Sequence, residues 1–320
     1  MLETEAIESR SRRNPAHVLK CGSGFSQYTW AVLAYNVGVV LWGAFVRATG
    51  SGAGCGNHWP LCNGEVTPRS PTTETLIEFT HRVTTGLDLL LVAVMVFWAF
   101  RAFPRRHPVR RSATLSGVFL VSEALIGACL VLLEHVAANP SPARGYSLSL
   151  HLVNTLSLLA SLTLTAWWAM GRPPVRLEGR PTRRAGASLA AVAVLCITGT
   201  IAALGDTLFP AASIATGIGQ EFDPAANIFV RLRVLHPLAA AATTAWLLYY
   251  AWSIAAGKPE SKQLAGVVAA LAGVQVLAGI VNWLLLAPVW MQIVHLLLAD
   301  LLWISLVLLC ASNLSMKEPR

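Results

Sequence analysis

The sequence predicts an all-α integral membrane protein whose eight transmembrane helices form two tandem, pseudo-symmetric four-helix bundles. Three observations lead to this prediction. Of the 320 residues, 55% are hydrophobic and only 12% are charged, which is too apolar for an ordinary soluble domain. Apolar runs of about 17–25 residues recur along the whole chain. Basic residues concentrate in alternate connections, and similar polar residues recur in the two halves.

Eight apolar runs are long enough to cross a bilayer. They cover residues 29–48, 78–100, 113–133, 149–170, 187–205, 231–254, 264–286 and 291–311. Their connections are too short for a separate soluble domain. The first 28 residues contain Glu3, Glu5 and Glu8, which argues against a transit peptide, and the first apolar run is long for a signal-peptide core. We therefore expect all chemistry to occur in or beside the membrane.

The Lys and Arg residues orient the chain, because cytoplasmic loops of membrane proteins carry an excess of positive charge. Most of the 24 fall in alternate connections, whereas the opposite loops carry only Arg69 and Arg144. The basic connections contain Arg10, Arg12, Arg13, Lys20, Arg101, Arg105, Arg106, Arg110, Arg111, Arg172, Arg176, Arg180, Arg183, Arg184, Lys258, Lys262, Lys317 and Arg320. Both termini are thus predicted to be cytoplasmic. The net charge of +8 reflects this orientation and does not indicate nucleic-acid binding.

The two halves of the chain carry similar polar residues in the same order of spans. The matching triplets are His81, Glu123 and His151 in the first half, and His236, Gln275 and His295 in the second. Four spans return a chain to its starting side, so both halves would have the same topology. We predict a cytoplasmic segment 1–28, an N-terminal four-helix unit 29–170, a linker 171–186, a C-terminal four-helix unit 187–311 and a tail 312–320.

Four histidines are predicted within the first few residues of helices that enter from the outer side. They are His81, His151, His236 and His295. An ionisable side chain in a membrane is costly and usually functional. Two imidazoles facing each other across a four-helix unit can ligate a haem iron. A single histidine could equally form a hydrogen bond between helices, but four in a repeated pattern favour two haem sites. Zinc is less favoured because its ligands usually cluster at short spacing.

Charged residues near these histidines each have two interpretations. Glu78 shares a helix face with His81, so it could orient that ligand, relay protons or stabilise a reacting group. It could equally complement the helix dipole. Arg82, Arg231 and Arg233 could bind haem propionates through charge-assisted hydrogen bonds, or extend to lipid headgroups.

Cys55 and Cys62 flank a short segment of the first outer loop that contains glycine and proline. This side of a bacterial membrane is oxidising, so we expect a disulfide that closes the loop. The disulfide could hold a lid over the first site or take part in thiol exchange. The structural task is favoured.

Taken together, these residues resemble the haem A synthase family over nearly the whole chain. The matching segments and residues are Val46–Cys55, Trp59–Gly64, Glu78, His81, Arg82, Gly205–Pro210, His236 and His295. The sequence departs from the family at Pro237, where an Arg is expected after the histidine. The second half also has no counterpart of the cysteine pair, which some family members possess.

The resemblance implies an oxidoreductase that converts haem O to haem A by oxidising a ring methyl group to a formyl group. Two successive hydroxylations would give a geminal diol, which loses water; the oxidant is left open between bound oxygen and an electron-abstraction route that uses water. The implied haem b ligands are His236 and His295, with Arg231 and Arg233 beside them. The substrate haem would lie at His81, His151 and Arg82, with Glu78 as the catalytic acid. The resemblance also implies a haem O synthase and a haem-copper oxidase with its assembly factors as partners. We expect a bacterial cytoplasmic membrane rather than a mitochondrial inner membrane, and a homo-oligomer is left open.

Two other functions fit part of the pattern. A di-haem electron-transfer cytochrome would use the same four histidines, but it would require neither Glu78 nor the cysteine loop. A transporter with tandem halves could use Asp88 and Glu123, which are predicted near the middle of their spans. A transporter would not require histidines at matching depth.

Overall fold

The computed structural model describes residues 15–315, with side chains from residue 24 onward. Within this range eight helices are long and apolar enough to span a membrane, which confirms the predicted fold class. The basic residues expected in segments 1–14 and 316–320, and the Lys20 side chain, lie outside the described part of the chain.

The helices follow one another along the chain, and the long loop 49–72 separates the first two. They are α1 (Pro15–Ala48), α2 (Thr73–Ala102), α3 (Pro108–Leu132), α4 (Pro142–Ala169), α5 (Gly179–Leu208), α6 (Ile214–Phe222), α7 (Ile228–Arg231), α8 (Leu235–Gly257), α9 (Lys262–Leu284) and α10 (Val289–Leu314). Short 3₁₀ turns cover Ser51–Ala53 and Pro259–Ser261. Because lipid offers no hydrogen bonds, a spanning segment must satisfy its backbone internally, and each long helix does so.

Several helices begin earlier in the sequence than their apolar runs indicate. The side chain of Thr72 caps α2 by accepting a hydrogen bond from the Thr75 amide at 3.2 Å. Helices α3 and α4 begin at Pro108 and Pro142, where proline has no amide to leave unpaired. The apolar runs excluded these polar first turns. They also gave no sign of the two short outer helices α6 and α7.

The long helices pack in two closed sets of four. In the first set α1 and α3 each contact both α2 and α4. In the second set α5 and α9 each contact both α8 and α10. Helices α4 and α10 contact each other, while α1 contacts α10 and α4 contacts α5, so the sets share an interface. The pseudo-symmetry of the two units and the cytoplasmic position of both termini stay predictions.

Helices α4 and α10 form the centre of the molecule. In each of them 44% of the most apolar stretch is buried, against 22% in α2, α5 and α9. A buried hydrogen bond of 2.8 Å from the Trp303 indole nitrogen to the Leu156 carbonyl joins these two central helices. The peripheral helices therefore turn most of their apolar side chains outward, as lipid contact requires.

Candidate functional site

Three of the four histidines lie deeper in their helices than the sequence predicts. His81 and His151 lie more than two turns beyond the first residues of α2 and α4, and His295 lies nearly two turns into α10. His236 follows the short helix α7 and lies in the first turn of α8. The prediction that all four occupy the first few helical residues is wrong for the other three, because polar turns precede the apolar runs. A similar depth from the outer end is retained.

Each of the four histidine rings lies against a glycine of a neighbouring helix. The pairs are Gly43 with His81, Gly127 with His151, Gly199 with His236, and Gly279 with His295. A Cβ at Gly199 would lie 2.9 Å from the His236 Cε1 atom, and one at Gly43 would lie 3.0 Å from the same atom of His81. At Gly43, Gly199 and Gly279 the glycine therefore lets the imidazole fit closely beside the adjacent backbone, whereas a Cβ at Gly127 would make an ordinary contact of 3.9 Å with the His151 ring. The helix order of these pairs is the same in both halves.

His236 and His295 form a facing pair within the second helix set. Their ring centres are 6.3 Å apart and their planes are at 89°. Two metal–imidazole bonds of about 2 Å each, with roughly 1 Å from each ring centre to its nitrogen, require about 6 Å. The His236 Nδ1 atom lies 3.2 Å from the Thr198 hydroxyl, which fixes that ring and leaves Nε2 for a ligand bond. The distance between the two ring centres therefore matches that of two histidines on one haem iron.

His81 and His151 belong to the first helix set, on α2 and α4. The Nδ1 atoms of both rings are buried and have no hydrogen-bond partner among the described residues. Glu123 on α3 brings its Oε1 atom to 3.6 Å from the His151 Nδ1 atom. Asn154 and Thr155, both on α4, donate hydrogen bonds to the two Glu123 oxygens. A carboxylate is thus held beside one histidine of this pair.

The equivalent position in the second set is a neutral amide. The side-chain nitrogen of Gln275 on α9 lies 3.3 Å from the His295 Nε2 atom and donates to the His295 carbonyl at 3.1 Å. Glu123 and Gln275 occupy matching places in the sequence repeat. The two histidine pairs therefore differ by one negative charge beside the histidine on the fourth helix of each set.

Glu78 is enclosed at the outer end of the first set, with only 3% of its surface exposed. One of its oxygens accepts a hydrogen bond from the Cys55 amide at 2.9 Å, and the other binds Arg82 at 2.5 and 3.1 Å. Arg82 also donates to the carbonyls of His58 and Leu61, both at 2.7 Å. The pair therefore anchors the outer loop to α2. Helix-dipole complementation is better attributed to Glu74, which occupies the first turn.

Cys55 and Cys62 are joined by a disulfide, as expected for this loop. The loop also docks closely on the start of α2, because a Cβ at Gly54 would lie 2.4 Å from the Glu74 carbonyl carbon and oxygen. The Thr75 hydroxyl donates to the Gly54 carbonyl at 2.7 Å. Arg82 is predicted to bind a haem propionate. Its guanidinium nitrogens donate hydrogen bonds to Glu78 and to two carbonyls of this loop.

The two arginines predicted beside the second histidine pair differ in their surroundings. Arg231 is exposed at the end of α7. Arg233 is buried and forms an ion pair of 2.9 Å with Asp206. It also donates to the Phe209 carbonyl at 2.8 Å. Burial raises the pKa of nearby Glu221 on α6, and the Arg233 charge opposes that shift.

Arg47 connects the two helix sets, a role that the sequence reading missed. Its guanidinium, at the end of α1, donates to the Ala203 carbonyl at 3.1 Å and to the Thr207 hydroxyl at 2.9 Å on α5. It also donates to the Gln292 side chain on α10 at 2.8 Å. Ala203 and Gln292 lie about one turn from Gly199 and His295, and Thr207 lies about two turns from Gly199. The first half thus places a positive charge beside the second histidine pair.

Comparison with known proteins gives a consistent family assignment. Residues 26–307 match COX15-CtaA, described as a cytochrome oxidase assembly protein. A protein named "Protoheme IX farnesyltransferase" from Thermus thermophilus is 48% identical over 259 residues, or 80% of this chain and 43% of that relative. A "Heme A synthase" from Geobacillus kaustophilus is 45% identical over 93 residues, or 29% of each chain. Another, from Lysinibacillus sphaericus, is 42% identical over 106 residues, or 32% of this chain and 34% of that protein.

The chain spans less than half the length of each of these curated relatives in the matched regions. The relatives are bacterial, and the described part of the chain has eight helices that are long and apolar enough to span a membrane. It is therefore a multi-pass bacterial membrane protein.

Proposed function

Because this chain belongs to the COX15-CtaA family of cytochrome oxidase assembly proteins, which includes the haem A synthases, we propose that it is an oxidoreductase converting haem O to haem A. The observation that carries the proposal is the repeated arrangement of the four histidines. Each lies beside a glycine of the adjacent helix, and one pair has the spacing that a haem iron requires. The bacterial relatives named for this activity add support.

The second helix set would hold the resident haem b. His236 and His295 would hold its iron, and Thr198 would keep the His236 ring in one orientation. Arg233 and Arg231 lie on the outer side of this pair and would face the propionates. Arg47 would add a third positive charge there from the first set, which compensates for Pro237 standing where the family has an arginine.

The first helix set would hold the substrate haem O between His81 and His151. When bound, haem iron supplies the redox chemistry that side chains lack. The residues of the chain position the substrate and handle charge and protons. Glu123 would orient the His151 ring through its Nδ1 atom. Glu78 would supply a negative charge on the helix face shared with His81, close to the reacting edge.

The outer loop would limit the access of water to the first site. Glu78 and Arg82 hold the disulfide-closed segment over the outer end of α2. Excluding water strengthens electrostatic interactions inside a site and protects reactive species. The lateral faces of α2 and α3 expose apolar side chains such as Leu87, Leu90 and Leu125, so the farnesyl tail of haem O could remain in lipid.

Farnesyl transfer is a second candidate, since the Thermus relative is named for it. More than half of that relative lies outside the match and can carry the named activity. A prenyl diphosphate is usually held through Mg²⁺ by carboxylates. Among the described residues, no group of three or more His, Cys, Asp and Glu side chains could hold a metal ion. We therefore assign farnesyl transfer to a partner haem O synthase, which would supply the substrate. Haem-copper oxidases would use the product.

The proposal is tested by the haems that cells contain. The chain would be expressed in a bacterium that lacks its own haem A synthase but retains haem O synthase, and the non-covalent haems would be extracted and separated. We expect haem A only when the chain is present, with a matching fall in haem O. An unchanged haem O pool would reject the synthase. If the chain binds two haems but forms no haem A, the result would favour the electron-transfer cytochrome. A rise in the amount of haem O would favour farnesyl transfer.

A further inference from the structure

A cavity of about 370 Å³ lies at the opposite end of the second helix set from the histidines. It is formed where the start of α5 meets the ends of α8 and α10. The polar side chains that line it are Arg180, Arg184, Lys258, Tyr250, Ser253 and Asn313. This end carries the basic connections and is predicted to face the cytoplasm.

The cavity has a strong positive charge without a compensating acid. Three cationic side chains line it, and no Asp or Glu is among its lining residues. Two acids lie two residues from these cations: Glu178, which is paired with Arg176 at 2.8 Å, and Glu260, which is not among the lining residues. Lys258 is held in place by a hydrogen bond to the Asn313 carbonyl. An anion bound here would receive charge-assisted hydrogen bonds from several directions.

The start of α5 and the Tyr250 ring form two further walls of the cavity. The Glu178 side chain makes no capping bond to α5, so the first amides of this 30-residue helix have no side-chain acceptor from that position. The Gly179 and Arg180 amides lie at this helix start, where backbone amides commonly bind phosphate groups, whereas Pro181 has no amide hydrogen. The Tyr250 ring is 1% exposed and closes the inner wall, with its hydroxyl 3.5 Å from the Cys310 sulfur.

Aromatic residues place the cavity at the level of the lipid headgroups. Trp246, Tyr249 and Trp252 form a row along α8, with successive ring centres 5.8 and 6.3 Å apart. Trp252 is 67% exposed and directly precedes Ser253, which lines the cavity. Exposed Trp and Tyr residues concentrate where a membrane meets water. The cavity therefore opens beside the surface on which acyl chains would lie.

We propose that this cavity binds the phosphate of an anionic phospholipid headgroup. Arginine pairs recognise phosphate in a bidentate manner, and basic pockets between membrane helices commonly bind acidic headgroups. The acyl chains would lie along α8 beside the exposed rings of Tyr249 and Trp252. A bound lipid would connect the start of α5 to the ends of α8 and α10, so it would stabilise the second helix set.

The test compares lipid binding by the purified full chain and its variants in a neutral detergent. The pocket variant combines Arg180→Gln, Arg184→Gln and Lys258→Gln. The control variant combines Arg183→Gln and Lys262→Gln, which change neighbouring basic residues that do not line the cavity. Native mass spectrometry with added phosphatidylglycerol or phosphatidylcholine measures the bound lipid, and tryptophan fluorescence measures the unfolding temperature.

We expect the original chain and the control variant to retain phosphatidylglycerol in preference to phosphatidylcholine. The pocket variant should bind phosphatidylglycerol about tenfold more weakly and lose its stabilisation by that lipid. If the triple variant fails to fold, Arg184→Gln alone should give a smaller loss in the same direction. Equal retention by pocket and control variants would overturn the site. Equal stabilisation by inorganic phosphate at the same concentration would overturn the assignment to a lipid.

Discussion

Glu78 has both carboxylate oxygens engaged, one by the Cys55 amide and the other by Arg82. Its charge therefore has two effects, on the outer loop and on the helix face that it shares with His81. Removing one member of a buried ion pair commonly costs about 3–5 kcal/mol, because the remaining charge loses its partner. Glutamine keeps an oxygen that can accept the Cys55 hydrogen bond, so the Glu78→Gln change removes mainly the charge.

Glu78→Gln should abolish the formation of haem A while haem b stays bound, because the second helix set is untouched. The matched control is Glu74→Gln, which changes an exposed acid one turn earlier on the same helix. Haems extracted from cells expressing each variant provide the measurement. Undiminished haem A with Glu78→Gln would remove this residue from the mechanism.

Glu123 and Gln275 give the two histidine pairs different electrostatic surroundings. A carboxylate near a ligating imidazole increases its basicity, whereas an amide contributes less. The charged partner lies in the set that we assign to the substrate, and the neutral one in the set assigned to the resident haem. Outer partners of metal ligands typically contribute about 10- to 100-fold in metal affinity.

We expect Glu123→Gln to weaken the binding of substrate haem by about tenfold or more. Glu123→Asp should recover part of the loss, because it restores the charge. An absorption titration of the purified protein with haem O measures this affinity. The reciprocal change, Gln275→Glu, should shift the haem b absorption spectrum without changing haem O affinity. If Glu123→Gln leaves the titration unchanged, Glu123 does not act on His151.

At the scale of helices, the paired glycines decide how closely each histidine approaches its neighbour. Gly199→Ala would place a Cβ 2.9 Å from the His236 ring, so that ring must shift. We expect a clear loss of haem b from the purified protein, measured as haem per chain. Gly186→Ala is the control, because Gly186 lies on the same helix and a Cβ there would contact nothing within 4 Å. Equal haem content in both variants would contradict the close fit.

The sequence could predict the helices and the histidines for identifiable reasons. Apolar runs reveal spans, and a histidine stands out in an apolar helix. Gly43 and Gly199 gave no such signal, because a glycine has no side chain and its role depends on a neighbouring helix that the sequence does not identify. The interactions of Arg47 were hidden for the same reason, since its partners are more than 150 residues away. The polar first turns of α2 and α4 also hid the true depth of His81 and His151.

At the scale of the molecule, the two helix sets are joined by polar contacts as well as by apolar packing. Arg47 supplies hydrogen bonds from α1 to α5 and α10, and Trp303 supplies one from α10 to α4. An arginine with three neutral acceptors is well suited to fix an interface, because each bond has a charged donor. This contact also places the first set beside the haem b site that we propose.

Arg47→Ala should destabilise the protein by on the order of 3 kcal/mol, because three acceptors lose a charged donor. It should also reduce haem b retention, although Arg47 belongs to the other helix set. Unfolding in detergent, followed by tryptophan fluorescence, gives the stability, and absorption gives the haem content. Arg69→Ala is the control, since that outer arginine has a side chain that is 90% exposed. If the two variants have the same stability and the same haem content, Arg47 does not connect the two helix sets.

The central claim, a resident haem in the second helix set and a substrate haem in the first, is tested most directly by the haem b content of four purified variants. They are His81→Ala, His151→Ala, His236→Ala and His295→Ala. We predict that the last two lose haem b, while the first two retain it and form no haem A. Equal haem b content in all four would contradict the two-site account.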